Sequence, residues 1–309
     1  MKLYHFSGAG NNFVVLDGRA ADMAPYRDVS RIVNLCRRLR TDGLMILTLP
    51  TAAASRMGGG RRNPCLPPKD RMRGDFSESR LGFDCLPPEA EGCSGIDFGM
   101  EFYNPDGSGG MMCGNGGRCI AAFANYLGIP ASQGQTYVFQ APDGVHTAEI
   151  LDHKGPQEWT VKLRMKDVDG IEPVLGGWFL DTGTRHHVRF VENVDAVDID
   201  VDGPRYRHDP AFAPIGANVN FVERRGEWLH VRTFEKGVEG ETLACGTGIT
   251  ASAIAAWHAA GASPLQPVHT CIQARQDPLS VDFRPLSPTS FTDVYLTGPA
   301  TLLETLDEA

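Results

Sequence analysis

Two cysteines of this chain stand in one repeated local pattern. The first copy runs Glu101-Phe-Tyr-Asn-Pro-Asp-Gly-Ser-Gly-Gly-Met-Met-Cys113-Gly-Asn-Gly116, and the second Arg232-Thr-Phe-Glu-Lys-Gly-Val-Glu-Gly-Glu-Thr-Leu-Ala-Cys245-Gly-Thr-Gly248. Each copy reads as a strand end with an aromatic, a polar residue, a Gly-rich loop, Cys-Gly-x-Gly and then a helix. A thiol at a helix N-terminus faces the positive end of the macrodipole, which favours thiolate. Two such thiols in one chain predict a single active site fed by two similar halves.

The elements around the cysteines fit that prediction. Ile120, Phe123, Ala124 and Leu127 follow Cys113 at helical spacing, and Gly128 with Pro130 supplies a stop. Ile249, Ala253, Ala256, Trp257 and Ala260 follow Cys245, closed by Gly261 and Pro264. A third helix is expected over 29–39. Most of the rest reads as strand. Leu44–Leu49 is a β run, and Phe98–Tyr103 leads into the first motif. Trp159, Val161, Leu163 and Met165 alternate with polar residues, the mark of a half-buried antiparallel strand. Asn218–Val222 and Trp228–Phe234 flank a charged turn at Arg225-Gly226 and predict a hairpin. The expected class is α+β, with two pseudo-symmetric domains, each a mainly antiparallel sheet wrapped around a central helix, and the active site in the cleft between them. Residues 1–150 would form the first half and 151–298 the second, with the extreme C-terminus, 299–309, returning to the first.

Composition bounds the partners. The 309 residues suffice for two cores, and 42% hydrophobic with 22% charged residues describes an ordinary globular chain. A net charge of −9 argues against nucleic acid, whose phosphates need a basic face. The sequence contains no run of 18 or more apolar residues for a membrane span, and no apolar secretory core at its start. A cytoplasmic location with reduced cysteines is therefore expected. No Cys-x-x-Cys occurs, so no metal framework is expected, and its absence counts against a redox motif. Cys36, Cys119 and Cys271 read as small buried hydrophobes, whereas the glycines flanking Cys113 and Cys245 are not explained by apolar packing.

Residues 51–95 break the pattern. They are rich in Gly, Pro and Arg and carry Cys-Leu-Pro-Pro twice, from Cys65 and from Cys85. Such a composition buries too little apolar surface to offset its ordering entropy. A long, disordered surface insertion is expected, with a lid or docking segment using Cys65, Cys85 and Cys93 as the alternative.

The motifs resemble those of the diaminopimelate epimerase family. Asn104-Pro-Asp-Gly-Ser with Met112-Cys113-Gly-Asn-Gly-Gly-Arg118 is similar to that family's first signature, and Gly237–Gly248 to its second. Phe6–Phe13 resembles the N-terminal Gly-x-Gly-Asn segment, and Gly216-Ala-Asn218-Val-Asn-Phe221 a further substrate loop. Proline racemases share the two-domain plan but usually have His at the position of Asn115. The resemblance implies inversion at the Cα of an amino acid, with no pyridoxal phosphate or other cofactor. One thiolate removes the α-proton from one face and a thiol returns a proton on the other. Two thiols facing one carbon are then expected to reach disulfide distance under mild oxidation, as a Cys113–Cys245 crosslink. Free N–H groups at the opposed helix N-termini would bind the α-carboxylate and stabilise developing charge.

The same resemblance pairs Cys113 with His186 and Cys245 with Glu235. It places Asn11, Asn104, Gly114, Asn115, Asn218, Lys236, Gly246 and Thr247 on the substrate, a small molecule of the diaminopimelate type. His187 competes with His186 for the partner role, and each Asn has a plain reading as a turn residue. Three departures bear on specificity. Gly183-Thr-Arg-His186 stands where the family has Gly-Asn-Pro-His, Glu235-Lys236 stands for Glu-Arg, and Arg37–Gly43 lacks the usual Gly-Ile-Gly. Racemisation of another amino acid, or non-catalytic amino-acid binding on the same scaffold, are the alternatives. A homodimer stays open as the assembly.

Overall fold

A computed structural model describes residues 1–19, 22–50, 95–110, 112–261 and 265–308. The expected insertion lies outside the described residues except for residue 95, and so do its cysteines and the helix stop at Pro264.

The chain builds one unit twice. The first unit comprises β1 (Lys2–Gly8), β2 (Asn11–Asp17), α1 (Val29–Leu39), β3 (Leu44–Thr48), β4 (Phe98–Tyr103), α2 (Gly114–Tyr126), β5 (Thr136–Ala141), β6 (Gly144–Lys154) and β7 (Glu158–Arg164). Two short strands follow, β8 (Val168–Asp169) and β9 (Glu172–Val174). The second unit opens with β10 (Gly177–Asp181), β11 (Arg185–Phe190), α3 (Ile199–Arg207), β12 (Asn218–Arg225) and β13 (Trp228–Glu235). After β14 (Gly240–Thr242) it continues with α4 (Gly246–Ala259), β15 (Val268–Gln273), β16 (Pro278–Pro285) and β17 (Ser290–Asp307).

Pairing follows the same rule in both units. A hairpin (β1–β2, β10–β11) is joined in parallel through a helix to a second hairpin (β3–β4, β12–β13). That hairpin is joined in parallel, through the cysteine helix, to an antiparallel meander (β5–β6–β7, β15–β16–β17). β17 is long enough to serve both units. Its first half pairs with β16 and β8, Gly298–Thr301 pair with β7, and Thr301–Asp307 pair with β1. The first sheet thereby closes on itself. A division at residue 150 falls inside β6, which packs with β7 against α2.

The two cysteine helices are the cores of their sheets. Every residue of α2 from Gly114 to Ala124 is buried, as is nearly all of α4 from Gly246 to Ala256. A helix enclosed by sheet on all sides has no polar face to keep, which explains the small residues Gly116, Gly117, Ala121, Ala122, Ala251 and Ala255 between the larger ones. Phe123 anchors α2 against Tyr4 and Phe6, with ring centroids 4.8 and 5.7 Å away.

One helix was not expected. α3 carries Gly203 and Pro204 and has little amphipathic pattern, so sequence periodicity does not reveal it. Its place is set by the repeat, since it is the counterpart of α1. A side chain at Gly203 would meet the ring of Phe234 at 2.3 Å, so only glycine allows this approach. The expected helix over 29–39, the strand over 98–103 and the hairpin around Arg225-Gly226 are all present.

Phe123→Ala tests the role of α2 as a core. The lost contacts and the cavity left behind should reduce the unfolding free energy by about 3–5 kcal/mol in a urea titration. A loss below about 1 kcal/mol would show that the first sheet closes without it.

Candidate active site

The N-termini of α2 and α4 meet. A Cβ built on Gly246 would lie 3.3 Å from the Cα of Gly114, and one built on Gly114 would lie 3.5 Å from the Cα of Gly246. Leu296 of β17 closes the contact from one side, at 2.9 Å from the first of these positions and 3.1 Å from the second. The glycines after the cysteines are thus what lets two helix ends abut. Cys113 and Cys245 are the N-caps of the two helices, both with extended backbone. Cys113 Sγ accepts the Gly116 N–H at 3.1 Å, and Cys245 Sγ lies 3.4 Å from Thr247 Oγ1. Both thiols are free.

Burial works against the thiolate expected from the helix dipoles. Burial pushes Cys113 up to about 11, against the pull of the Gly116 N–H and of Arg118. Burial also raises Cys245 strongly, and the Glu235 carboxylate adds to it. The dipole's few tenths to about 2 kcal/mol is opposed by dehydration of both thiols, Cys245 buried and Cys113 half-buried.

Glu235 ends β13 beside Cys245. It accepts from Thr242 Oγ1 at 3.0 Å. Burial raises its pKa, while its hydrogen bonds to Thr242 and Cys245 draw it back down. Its charge reaches Cys113 as well as Cys245.

His186 is fully buried on β11, and burial pushes it down to about 3, so it is neutral. Its Nε2 lies 2.9 Å from both Thr184 Oγ1 and Thr247 Oγ1. Its Nδ1 is 3.0 Å from the Asn220 amide, and Asn220 accepts the Thr233 hydroxyl at 2.9 Å. An amide donating to Nδ1 places the imidazole proton on Nε2. The hydrogen bonds of His186 therefore lead through Thr247 toward Cys245, and not to Cys113. His187 points to the other face of the strand, packed on Tyr206 and Phe212, with neither ring nitrogen hydrogen-bonded.

The asparagines divide. Asn115 donates to Asn11 Oδ1 at 2.5 Å and to the Ala244 carbonyl at 3.0 Å, clasping the residue before Cys245. Asn11 in turn donates to Asp42 at 3.1 Å. Asn218 donates to Thr184 Oγ1 at 3.2 Å and accepts the Lys236 backbone N–H at 2.8 Å. Asn104 is different: its amide donates to Ser108 Oγ at 3.0 Å, within its own turn. The Lys236 side chain is exposed. Arg185 lies over the Phe179 ring at 4.9 Å.

Sequence reasoning missed Arg118, Asn220 and Thr233 as site residues, and took Thr184 for a loss rather than a member of the polar cluster. Alternation along Asn218-Val-Asn220 was the available signal, since it puts two amides on one face of a strand. Cys36 and Cys119 are buried as expected, but Cys271 is not. It stands on the outward face of β15, 3.6 Å from His269 Nε2, because one sheet face suffices to cover α4. Among the described residues no group of three or more His, Cys, Asp or Glu could hold a metal, and no helix is long and apolar enough to cross a membrane.

Two cysteine-capped helices whose ends abut within a duplicated, sheet-wrapped unit define a class, the two-domain racemase and epimerase fold. Solved structures bear this out at the level of fold. A phenazine biosynthesis protein of the PhzF family from Bacillus anthracis aligns with TM-score 0.64 and 12% identity, covering 100% of this chain and 99% of that one. A hydroxyproline epimerase from Agrobacterium vitis aligns with TM-score 0.58 and 14% identity, covering 99% and 90%. Sequence is more specific. The model of the diaminopimelate epimerase family matches residues 178–270. Diaminopimelate epimerase from Flavobacterium psychrophilum is 32% identical over 97% of this chain and 97% of its own length. That from Aquifex aeolicus is 32% identical over 96% and 94%. The chain belongs to the diaminopimelate epimerase family.

The raised thiols predict a pH profile. A group pushed above its usual value stays protonated until the pH approaches the new one. Alkylation of the free enzyme by iodoacetamide should therefore rise about tenfold per pH unit from about pH 7 to 10 without levelling off. A plateau reached by about pH 8 would mean a preformed thiolate and overturn the assignment.

Proposed function

We propose that this enzyme is an isomerase that interconverts LL- and meso-2,6-diaminopimelate by two-base proton transfer between Cys113, Cys245 and the substrate Cα. The reaction belongs to the synthesis of lysine and of cell-wall precursors. The observation that carries this reading is the abutment of the two cysteine-capped helix ends. A carbon held in front of both ends would have a thiol on each face.

The chemistry follows from the groups present. One cysteine, as thiolate, takes the α-proton and becomes a thiol, leaving its electron pair on Cα. The other, as thiol, gives a proton to the opposite face and becomes the thiolate. Charge is conserved, and the protonation pattern left behind is the one needed for the reverse direction. An α-proton is very weakly acidic, so a strong base is an advantage. The burial that disfavours the resting thiolate also makes it more basic once formed. Backbone N–H groups at the two helix ends, among them those of Gly114, Gly246 and Thr247, would bind the α-carboxylate and stabilise charge on the carbanion. Glu235, whose field reaches both thiols, disfavours ionising the two together. His186, neutral with its proton on Nε2, holds Thr247 and Thr184 in one hydrogen-bonded cluster. Asn11, Asn115 and Asn218 shape the walls, and Asn104 shapes the loop before Cys113.

The direct test is deuterium exchange. The enzyme in deuterated water should exchange the α-hydrogen of LL- or meso-diaminopimelate and leave proline and glutamate unchanged. Exchange into proline or glutamate instead would favour the racemase reading, and exchange into none of them the binding-protein reading. Cys113→Ala and Cys245→Ala should each abolish epimerisation, with unchanged circular dichroism. Near-normal turnover by either variant would end the two-base mechanism.

Lys236 is proposed to meet the distal carboxylate from its exposed position beside Asn218. Lys236→Met should then lower kcat/KM by a factor equivalent to about 1.5–3 kcal/mol. Lys236→Arg should keep or improve it by restoring a two-pronged contact. Unchanged kinetics in Lys236→Met would assign the carboxylate to another cation.

A further inference from the structure

Arg118 is a fully buried arginine in α2, one turn behind Cys113. Its Nη1 donates to the Gly114 carbonyl at 3.2 Å, its Nη2 to Asn115 Oδ1 at 2.9 Å, and its Nε to the Pro299 carbonyl at 3.3 Å. All three acceptors are neutral, and Arg118 forms no ion pair among the described residues. A guanidinium does not give up its proton in a protein. A buried charge without a counter-ion is among the costliest features a fold can hold. The surroundings are nonetheless shaped for it. A Cβ on Gly298 would stand 3.3 Å from Arg118 Cζ and Nε, so the glycine leaves a bare backbone for the guanidinium to lie against.

The charge has two routes to the site. Through Asn115 it is mechanical. The Arg118 contact fixes Asn115 Oδ1, which turns the amide nitrogen toward Asn11 and the Ala244 carbonyl. The clasp between the two cysteine loops thus depends on Arg118. Through space the route is electrostatic. Facing Cys113 are the Arg118 cation from its own helix, the Glu235 carboxylate from β13, and Cys119 and Cys245. Facing Arg118 are Cys113, Cys119 and, at a distance, Asp277 from the β15–β16 turn. Arg118 is the one cation in this set.

We propose that Arg118 is a positioning residue and the buried counter-cation of the two-thiol site, its missing anion being supplied by the Cys113 thiolate and the substrate carboxylate. The proposal rests on the two-base reading. An arginine used only to tie α2 to β17 would do as well with a carboxylate beside it. This one has none, and it lies behind the helix end where negative charge must collect. Substrate binding and ionisation of Cys113 then relieve a charge already stored in the fold, adding to the two helix dipoles.

The test compares Arg118→Gln and Arg118→Lys by site-resolved alkylation of the whole enzyme. Iodoacetamide labelling of Cys113 and Cys245 is followed by peptide mass spectrometry at about pH 8.5, far below the midpoint, where rate tracks thiolate fraction. Arg118→Gln should slow labelling of Cys113 about tenfold or more, with Cys245 changed less, and lower kcat on the order of 100-fold. Arg118→Lys keeps the charge without the fork, so Cys113 labelling should stay within about threefold of the parent. A merely structural arginine predicts the opposite, because a loosened site exposes both thiols and speeds both reactions. Unchanged or faster Cys113 labelling in a folded Gln variant overturns the proposal. If the Gln variant does not fold, the Lys variant decides: slowing of about tenfold with the charge retained overturns it, and near-parent labelling supports it. The labelling readout needs no turnover, so it can fail while the parent still exchanges deuterium into diaminopimelate, and the two readings are judged separately.

Discussion

The contact of Gly114 with Gly246 is the constraint on which the rest of the molecule turns. Two helix ends approach backbone to backbone, where a single added methyl group would meet Leu296 or the opposing Cα. Such an approach brings two positive helix termini together, which is unfavourable until an anion sits between them. The molecule accepts this because each helix is held elsewhere. α2 and α4 are enclosed by their own sheets, and β17 runs along both, so neither helix can slide away without breaking a shared strand. Hydrophobic enclosure supplies the force, and the electrostatic tension is concentrated at one point.

That point gathers further charge. Arg118 adds a buried cation, while Glu235 and two potential thiolates supply the opposing sign. Loss of hydration raises both thiols and so favours S–H at each. A helix terminus and one cation are too weak to keep a dehydrated thiolate at rest. They are well suited to stabilising negative charge that appears only during the reaction, when no solvent needs to reorganise.

The duplication holds in the order of hairpin, helix, hairpin, cysteine helix and meander, β14 and the closure of the first sheet apart, and not in chemistry. Around Cys113, the polar groups are two amides and a guanidinium, Asn11, Asn115 and Arg118, of which Asn115 reaches across to Ala244. Around Cys245, they are Thr182, Thr184, Thr247, His186 and Asn220, a chain of hydroxyls ending on a neutral imidazole. A duplicated frame thus caps two abutting helix ends with a cysteine each, while unlike surroundings set the environment of each thiol.

Much of this was legible before any coordinates. Cys-Gly-x-Gly at the start of each helix, the helical spacing after each cysteine and the hairpin around Arg225-Gly226 depend on local geometry, which residue type and spacing report directly. The sequence alone therefore determined the class, the two helices and the two thiols. Tertiary structure decided what depends on groups distant along the chain. α3 is placed by the topological repeat and by the fit of Gly203 on Phe234, not by periodicity. Cys271 faces outward because β15 covers α4 with its other face. Asn104 is drawn into its own turn and Asn115 into an interdomain clasp, although both belong to one motif. The sign of the thiol shift was decided the same way. A helix dipole is written in the local sequence, but the loss of water that overrides it exists only once two sheets have closed around the helices and brought their ends together.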